Sequence, residues 1–168
     1  MLKEHTLQNT DNTIKFQYLY PASLFATDEH YNLTTVLGSC VSVCLYDPVG
    51  RVSAMNHFML PVNPNPSFDI RKYGDTSMGF MFEKLLALGA IKNKIEAKIF
   101  GGSEINNREN SSFKIGKKNI EQAFHYLKGA KIPVVNYDVG GGLGRKIVFD
   151  TRTGIVKRKY INNTKVLL

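Results

Sequence analysis

The chain has 168 residues, 43% of them apolar with aromatics and cysteines counted, and a formal charge of +8. That length fits one domain with a sizeable core, and the composition excludes global disorder. No apolar run approaches the roughly 18 residues of a membrane span, and Met1-Leu2-Lys3-Glu4-His5 lacks the apolar stretch of a secretory signal.

Elements follow in chain order. Leu33 to Leu37 reads as a strand, broken at Gly38-Ser39. Cys40 to Tyr46 and Arg51 to Leu60 read as two more, because β-branched residues and alternation dominate them. The Asp47-Pro48-Val49-Gly50 turn between them predicts a hairpin. Pro61, Pro64 and Pro66 then dictate a loop to about Tyr73. A helix follows from near Asp75, its expected cap, to Gly89, with Met78, Phe82, Leu85 and Leu86 on its apolar face. Glu96 to Phe100 is a short strand ended by Gly101-Gly102, and Ser103 to Ile115 is polar loop. Lys117 to Lys128 carries Ile120, Ala123, Phe124 and Leu127 at helical spacing, closed by Gly129. Ile132 to Asp138 is a strand. A glycine-rich turn follows, then a hairpin of 146–150 and 154–160. The sum is a mixed, largely antiparallel sheet with at least two helices, in a single catalytic domain over 1–168 with peripheral termini near 1–12 and 161–168.

Two cysteines are too few for a disulfide scaffold. On one strand, Cys40 and Cys44 stand about 13 Å apart, against the roughly 4.4–6.8 Å a disulfide needs. Free thiols fit a reducing cytoplasm. Cys40, at the sharp opening after Gly38-Ser39, is the candidate nucleophile, with backbone N–H groups of Gly38, Ser39 or Cys40 facing a developing oxyanion. Cys44 lies deeper in the apolar run and reads as core. His57, returned by the hairpin, is the candidate base; His5, His30 and His125 sit in poorer settings. Thr34 is the expected partner of the His57 ring, with Thr35 on the opposite face of a regular strand and Asn56 and Asp47 as alternatives. Zinc is not expected, because thiols four apart on a strand diverge and no fourth ligand offers itself. The turn from Asp138 to Lys146 fails both phosphate-loop and dinucleotide patterns. Arg145 within it is a candidate contact for a partner carboxylate, and Phe58, beside His57, a candidate substrate or partner contact.

Thr34-x-x-Leu37-Gly38-Ser39-Cys40-Val41-Ser42-Val43, Asp47-Pro48, His57-Phe58-Met59-Leu60-Pro61 and Lys72-Tyr73-Gly74-Asp75-Thr76 together resemble the CheD family. Gly101-Gly102, Ile115-Gly116-x-x-Asn119 and the 138–146 turn extend the resemblance over about 20 to 160. The chain departs from it at Ser103-Glu104-Ile105-Asn106 and at Lys118. The resemblance implies an α/β (α+β) three-layer sandwich of helices and sheets, similar to deamidating toxin domains. It also implies hydrolysis of chemoreceptor glutamines to glutamate through a cysteine thioacyl intermediate, with Cys40, His57 and Thr34 at the family's catalytic positions. Glutamate methyl ester hydrolysis, a partnership with a CheC-like phosphatase of phosphorylated CheY, and no cofactor are further implications. Rival readings are a catalytically weak regulatory module acting through such a phosphatase, a thiol peptidase or transamidase, and a basic RNA-binding module.

Overall fold

The computed structural model describes residues 13–104 and 114–161. The expected terminal segments and most of the polar loop before the second helix lie outside these residues.

Among the described residues the elements are β1 (Lys15–Tyr18), β2 (Ser23–Thr27), β3 (Tyr31–Leu37), β4 (Val41–Asp47), β5 (Val52–His57), α1 (Gly74–Ala87), β6 (Glu96–Gly101), α2 (Ile115–Gly129), β7 (Val134–Val139), β8 (Gly144–Asp150) and β9 (Val156–Ile161). They form two sheets, ordered β1-β3-β8-β9 and β2-β5-β4-β6-β7. Each is antiparallel except for one parallel pair, β1 with β3 and β6 with β7. The expected mixed, largely antiparallel architecture is therefore split over two sheets.

Burial explains the layering. β4 is the central strand of the five-stranded sheet and is covered on both faces, which is why it reads as a nearly continuous apolar run. Val41, Val43 and Leu45 pack with Met78, Met81 and Leu85 of α1 and Ala123 and Leu127 of α2. Cys44 points the other way, into a second core with Met55 and Phe100 from its own sheet and Leu33, Leu37, Ile147 and Phe149 from the four-stranded sheet. Helices, five-stranded sheet and four-stranded sheet thus form three layers around two cores. β8 alternates because only one of its faces is covered: Ile147 and Phe149 are buried while Lys146 is exposed.

The expected hairpin forms, with β4 against β5 in the register Cys44↔Met55 and Leu45↔Ala54. β5 ends at His57, short of Leu60. Past it, only an isolated bridge joins Val41 to Phe58. Two edge strands, β1 and β2, appear where no element was expected; β1 is exposed throughout. Asp75 does not cap α1. Tyr73 occupies that place without a side-chain bond, and Asp75 sits in the first turn, accepting from the Asn63 and Thr76 N–H groups. Gly89 does stop α1, in the left-handed region at φ 98°. α2 runs through Gly129, and Lys131 takes the left-handed position after it.

Two expected contact residues are interior. Phe58 is fully buried, its ring packed under Gly74 so closely that an added Cβ there would stand 2.7 Å from Phe58 Cε2. Arg145 is 1% exposed. It donates to the Asp138 carboxylate at 2.6 Å, to the Asp138 and Gly140 carbonyls and to Ser103 Oγ. Neither side chain reaches a partner. An arginine is tolerated inside because its fork is paired within its own turn.

Candidate active site

The site lies where β4 begins and β5 ends. Val41 and Phe58 exchange both backbone hydrogen bonds, at 3.1 and 3.0 Å. That pairing sets Ser42 opposite His57 and puts Cys40 on the same face, since side chains two apart on a strand point alike. Both face the inter-sheet core, against which Cys40 packs half-buried. Diagonal neighbours of this kind stand roughly 7–8 Å apart at the backbone, within reach of long side chains.

His57 is 2% exposed, and its Nδ1 lies 2.8 Å from Thr35 Oγ1. Thr35 donates its own hydroxyl hydrogen to the Leu19 carbonyl at 2.6 Å. Its oxygen therefore accepts from His57, which places the ring proton on Nδ1 and leaves Nε2 as the bare lone pair. Thr35, and not Thr34, orients the imidazole. The parity of β3 decides this: Leu33, Thr35 and Leu37 are buried while Val36 is exposed, so Thr34 belongs to the outer face. Asn56 and Asp47 are excluded from this role by their own bonds. Asn56 accepts from the Val43 N–H and donates to Ser77 Oγ on the helix side. Asp47 holds the hairpin turn through the Val49 and Ile91 N–H groups.

Nε2 is buried and has no hydrogen-bond partner among the described residues. Cys40 Sγ is thus on the same face without being bonded to the ring. Burial pulls His57 down to about 4, partly opposed by the Leu19 carbonyl. Burial also raises the Cys40 thiol, with its backbone N–H pulling the other way. Near neutral pH the Cys40 thiol and the His57 imidazole are both uncharged. Cys44, wholly enclosed, is pushed up to about 12 and fits the expected core role.

The turn from Gly38 to Cys40 is held by its carbonyls. Those of Gly38 and Cys40 accept from the Ser103 and Gly102 N–H groups, both at 2.8 Å, and that of Ser39 accepts from Asn119 Nδ2 at 2.9 Å. No main-chain carbonyl among the described residues takes the N–H of Ser39 or Cys40. Sequence reasoning singled out Gly38 and Ser39 but missed Thr35, Ser103 and Asn119. The inward parity of Leu33 and Leu37 was a signal for Thr35; nothing local marked Ser103. The described residues contain no His/Cys/Asp/Glu cluster able to hold a metal ion.

Taken together, fold and site define an α/β protein with a half-buried thiol and an uncharged imidazole on one face at the rim of a three-layer sandwich. Residues 59–160 match a family model described as CheD chemotactic sensory transduction. A protein of Trichlorobacter lovleyi named "Probable chemoreceptor glutamine deamidase CheD" is 41% identical over 143 residues, covering 85% of this chain and 89% of that protein. An alignment of that length necessarily spans Cys40 and His57, which lie ahead of the segment the family model matches. Proteins with that name, numbered CheD 1 in the second case, from Sulfurimonas denitrificans and Shewanella oneidensis are 37% and 40% identical. Each covers 89% of this chain, and the chain covers 96% and 75% of them. Among solved structures, the Bacillus licheniformis hypothetical protein YfiH is 17% identical, with a TM-score of 0.43 over 70% of this chain and 49% of that one. This chain belongs to the CheD family. No helix among the described residues is long and apolar enough to cross a membrane.

Proposed function

We propose that this chain hydrolyses the side-chain amide of glutamine residues in chemoreceptors to glutamate, with Cys40 as nucleophile and His57 as base. The observation that carries the reading is the bare, buried Nε2 of His57 on the face that also bears Cys40, with Nδ1–H fixed by Thr35. The names of the relatives supply the substrate class.

In this mechanism Nε2 takes the Cys40 proton as the sulfur attacks Cδ of the glutamine. Because the resting thiol is neutral, ionisation accompanies attack. The Ser39 and Cys40 N–H groups, left unused by main-chain carbonyls, donate to the tetrahedral oxyanion. The C–N bond breaks, and the imidazolium returns its proton to the departing ammonia. Water, deprotonated by the same nitrogen, then opens the thioester, releasing glutamate and restoring the thiol. A glutamate methyl ester enters the same cycle with methanol leaving.

A cytoplasmic site of action and a CheC-like phosphatase partner belong to this reading on the strength of the family alone. The test incubates the protein with a receptor cytoplasmic fragment and maps glutamine positions by mass. Each converted site gains about 1 Da with the native chain and none with Cys40→Ala. A receptor untouched by the native protein overturns the proposal.

A further inference from the structure

We propose that Asn119 is a positioning residue for this reaction, acting as a clamp that fixes the nucleophile turn against the strand that carries the base. The inference rests on the deamidase reading above.

The ladder between β4 and β5 ends at the Val41–Phe58 bridge. One residue further out lie Cys40 and, two beyond His57, Met59, with no main-chain bond between the two segments. Asn119 fills that gap. Its single Nδ2 donates one hydrogen to the Ser39 carbonyl and the other to the Met59 carbonyl, each at 2.9 Å. Ser39 immediately precedes the nucleophile. One amide group therefore sets the distance between the chain that bears the thiol and the chain that bears the imidazole. Two carbonyl oxygens cannot bond each other, so a buried two-hydrogen donor is what the gap demands.

The surrounding packing is built for this reach. Asn119 is fully buried on the inner face of α2, in line with Gly116, Ala123 and Leu127. α2 approaches so closely that a Cβ on Gly116 would lie 2.4 Å from the Gly102 carbonyl oxygen. Gly102 is the residue whose N–H holds the Cys40 carbonyl. A Cβ on Gly101 would lie 2.2 Å from that carbonyl oxygen. Meanwhile Asn119 Oδ1 is itself buried with no partner among the described residues. An amide kept in the core with its acceptor unused is poorly explained by stability alone. It is explained when the two donors do the task.

The proposal predicts different behaviour for two substitutions. Asn119→Asp replaces both donors by a carboxylate that faces two carbonyl oxygens. Asn119→Ser keeps a small polar group that cannot span them. We expect kcat for receptor deamidation, per folded molecule, to fall at least tenfold in both, with KM within twofold of the native value. The ratio of the Asn119→Asp to native kcat should rise as pH falls, because a protonated carboxyl regains one donor. The Asn119→Ser ratio should stay flat. A folded variant with native kcat overturns the clamp, as does a flat ratio for Asn119→Asp. If neither variant folds, Asn119 is a structural residue and the proposal fails. Native protein and Cys40→Ala run alongside: Cys40-dependent deamidation by the native chain keeps the underlying reading whatever Asn119 does, and its absence removes both.

Discussion

At His57, two bonds through Thr35 fix the tautomer of the ring. Thr35 spends its hydroxyl hydrogen on Leu19 and can only accept from the ring. Thr35→Val should strand Nδ1–H in the core, where an unpaired donor costs about 1–3 kcal/mol. Deamidation should drop roughly tenfold or more in a kcat assay, while Thr34→Val, on the outer face, should leave it unchanged. The buried ring also sets an acid limit on stability. Its folded pKa, about 4, lies below the ordinary 6.5, so the unfolded chain binds the extra proton between those values. The contribution is therefore complete above pH 6.5 and is lost as pH falls towards 4, with a size of roughly 3 kcal/mol. Urea melts from pH 7 to 4 should show this loss, and His57→Gln should remove its part of the slope. Cys40 and His57 stood out as candidates because a glycine break and a hairpin return leave marks in the sequence. The threonine was misassigned by one position, which on a strand means the opposite face. Reading Leu33 and Leu37 as inward would have chosen Thr35.

Among elements, the segment after β6 bears more of the site than its residues suggest. Gly102 and Ser103 follow the Glu96–Gly101 strand and grip the Gly38–Cys40 turn by backbone alone. Gly101 adopts φ 107° and has no room for a Cβ beside the Cys40 carbonyl. Gly101→Ala should therefore break the Gly102–Cys40 bond and lower kcat, with an overpacking cost of about 1–3 kcal/mol in a denaturant melt. A native-like kcat in a folded Gly101→Ala protein would contradict the proposed role of the turn. The glycine pair was visible in the sequence as a strand stop; what it stops against was not, because backbone-to-backbone grips carry no side-chain signature. The same blindness hid β1 and β2. Both are short edge strands, half or wholly exposed, with neither the buried apolar face of β3 nor the nearly continuous apolar run of β4. α1 and α2 were legible because their apolar faces repeat with the helix period, although their caps were not: neither helix has a side-chain N-cap bond.

Across the whole molecule, the chain leaves the five-stranded sheet for the four-stranded one at the turn between β7 and β8. Arg145 locks this crossing. It ties Asp138 to Ser103, whose N–H in turn holds the Gly38 carbonyl. Arg158 and Tyr160 of β9 close on the same Asp138 carboxylate. Arg145→Met should leave that carboxylate short of its buried partner and destabilise the fold by roughly 3 kcal/mol, read as a lowered denaturant midpoint. A surface role would leave the midpoint unmoved. From sequence Arg145 looked available to a partner because charged residues are rarely enclosed; its pairing seven residues back, inside one turn, was the missing information. In the proposed mechanism Cys40 Sγ is the atom that carries the acyl group. Hydroxylamine added to a reaction with a receptor fragment tests it most directly, since it intercepts a thioester and leaves a hydroxamate about 16 Da heavier at the same glutamine. Glutamine sites that partition between glutamate and hydroxamate with native protein, and stay unmodified with Cys40→Ala, are the predicted result. Conversion of those sites by Cys40→Ala at the native rate would contradict it.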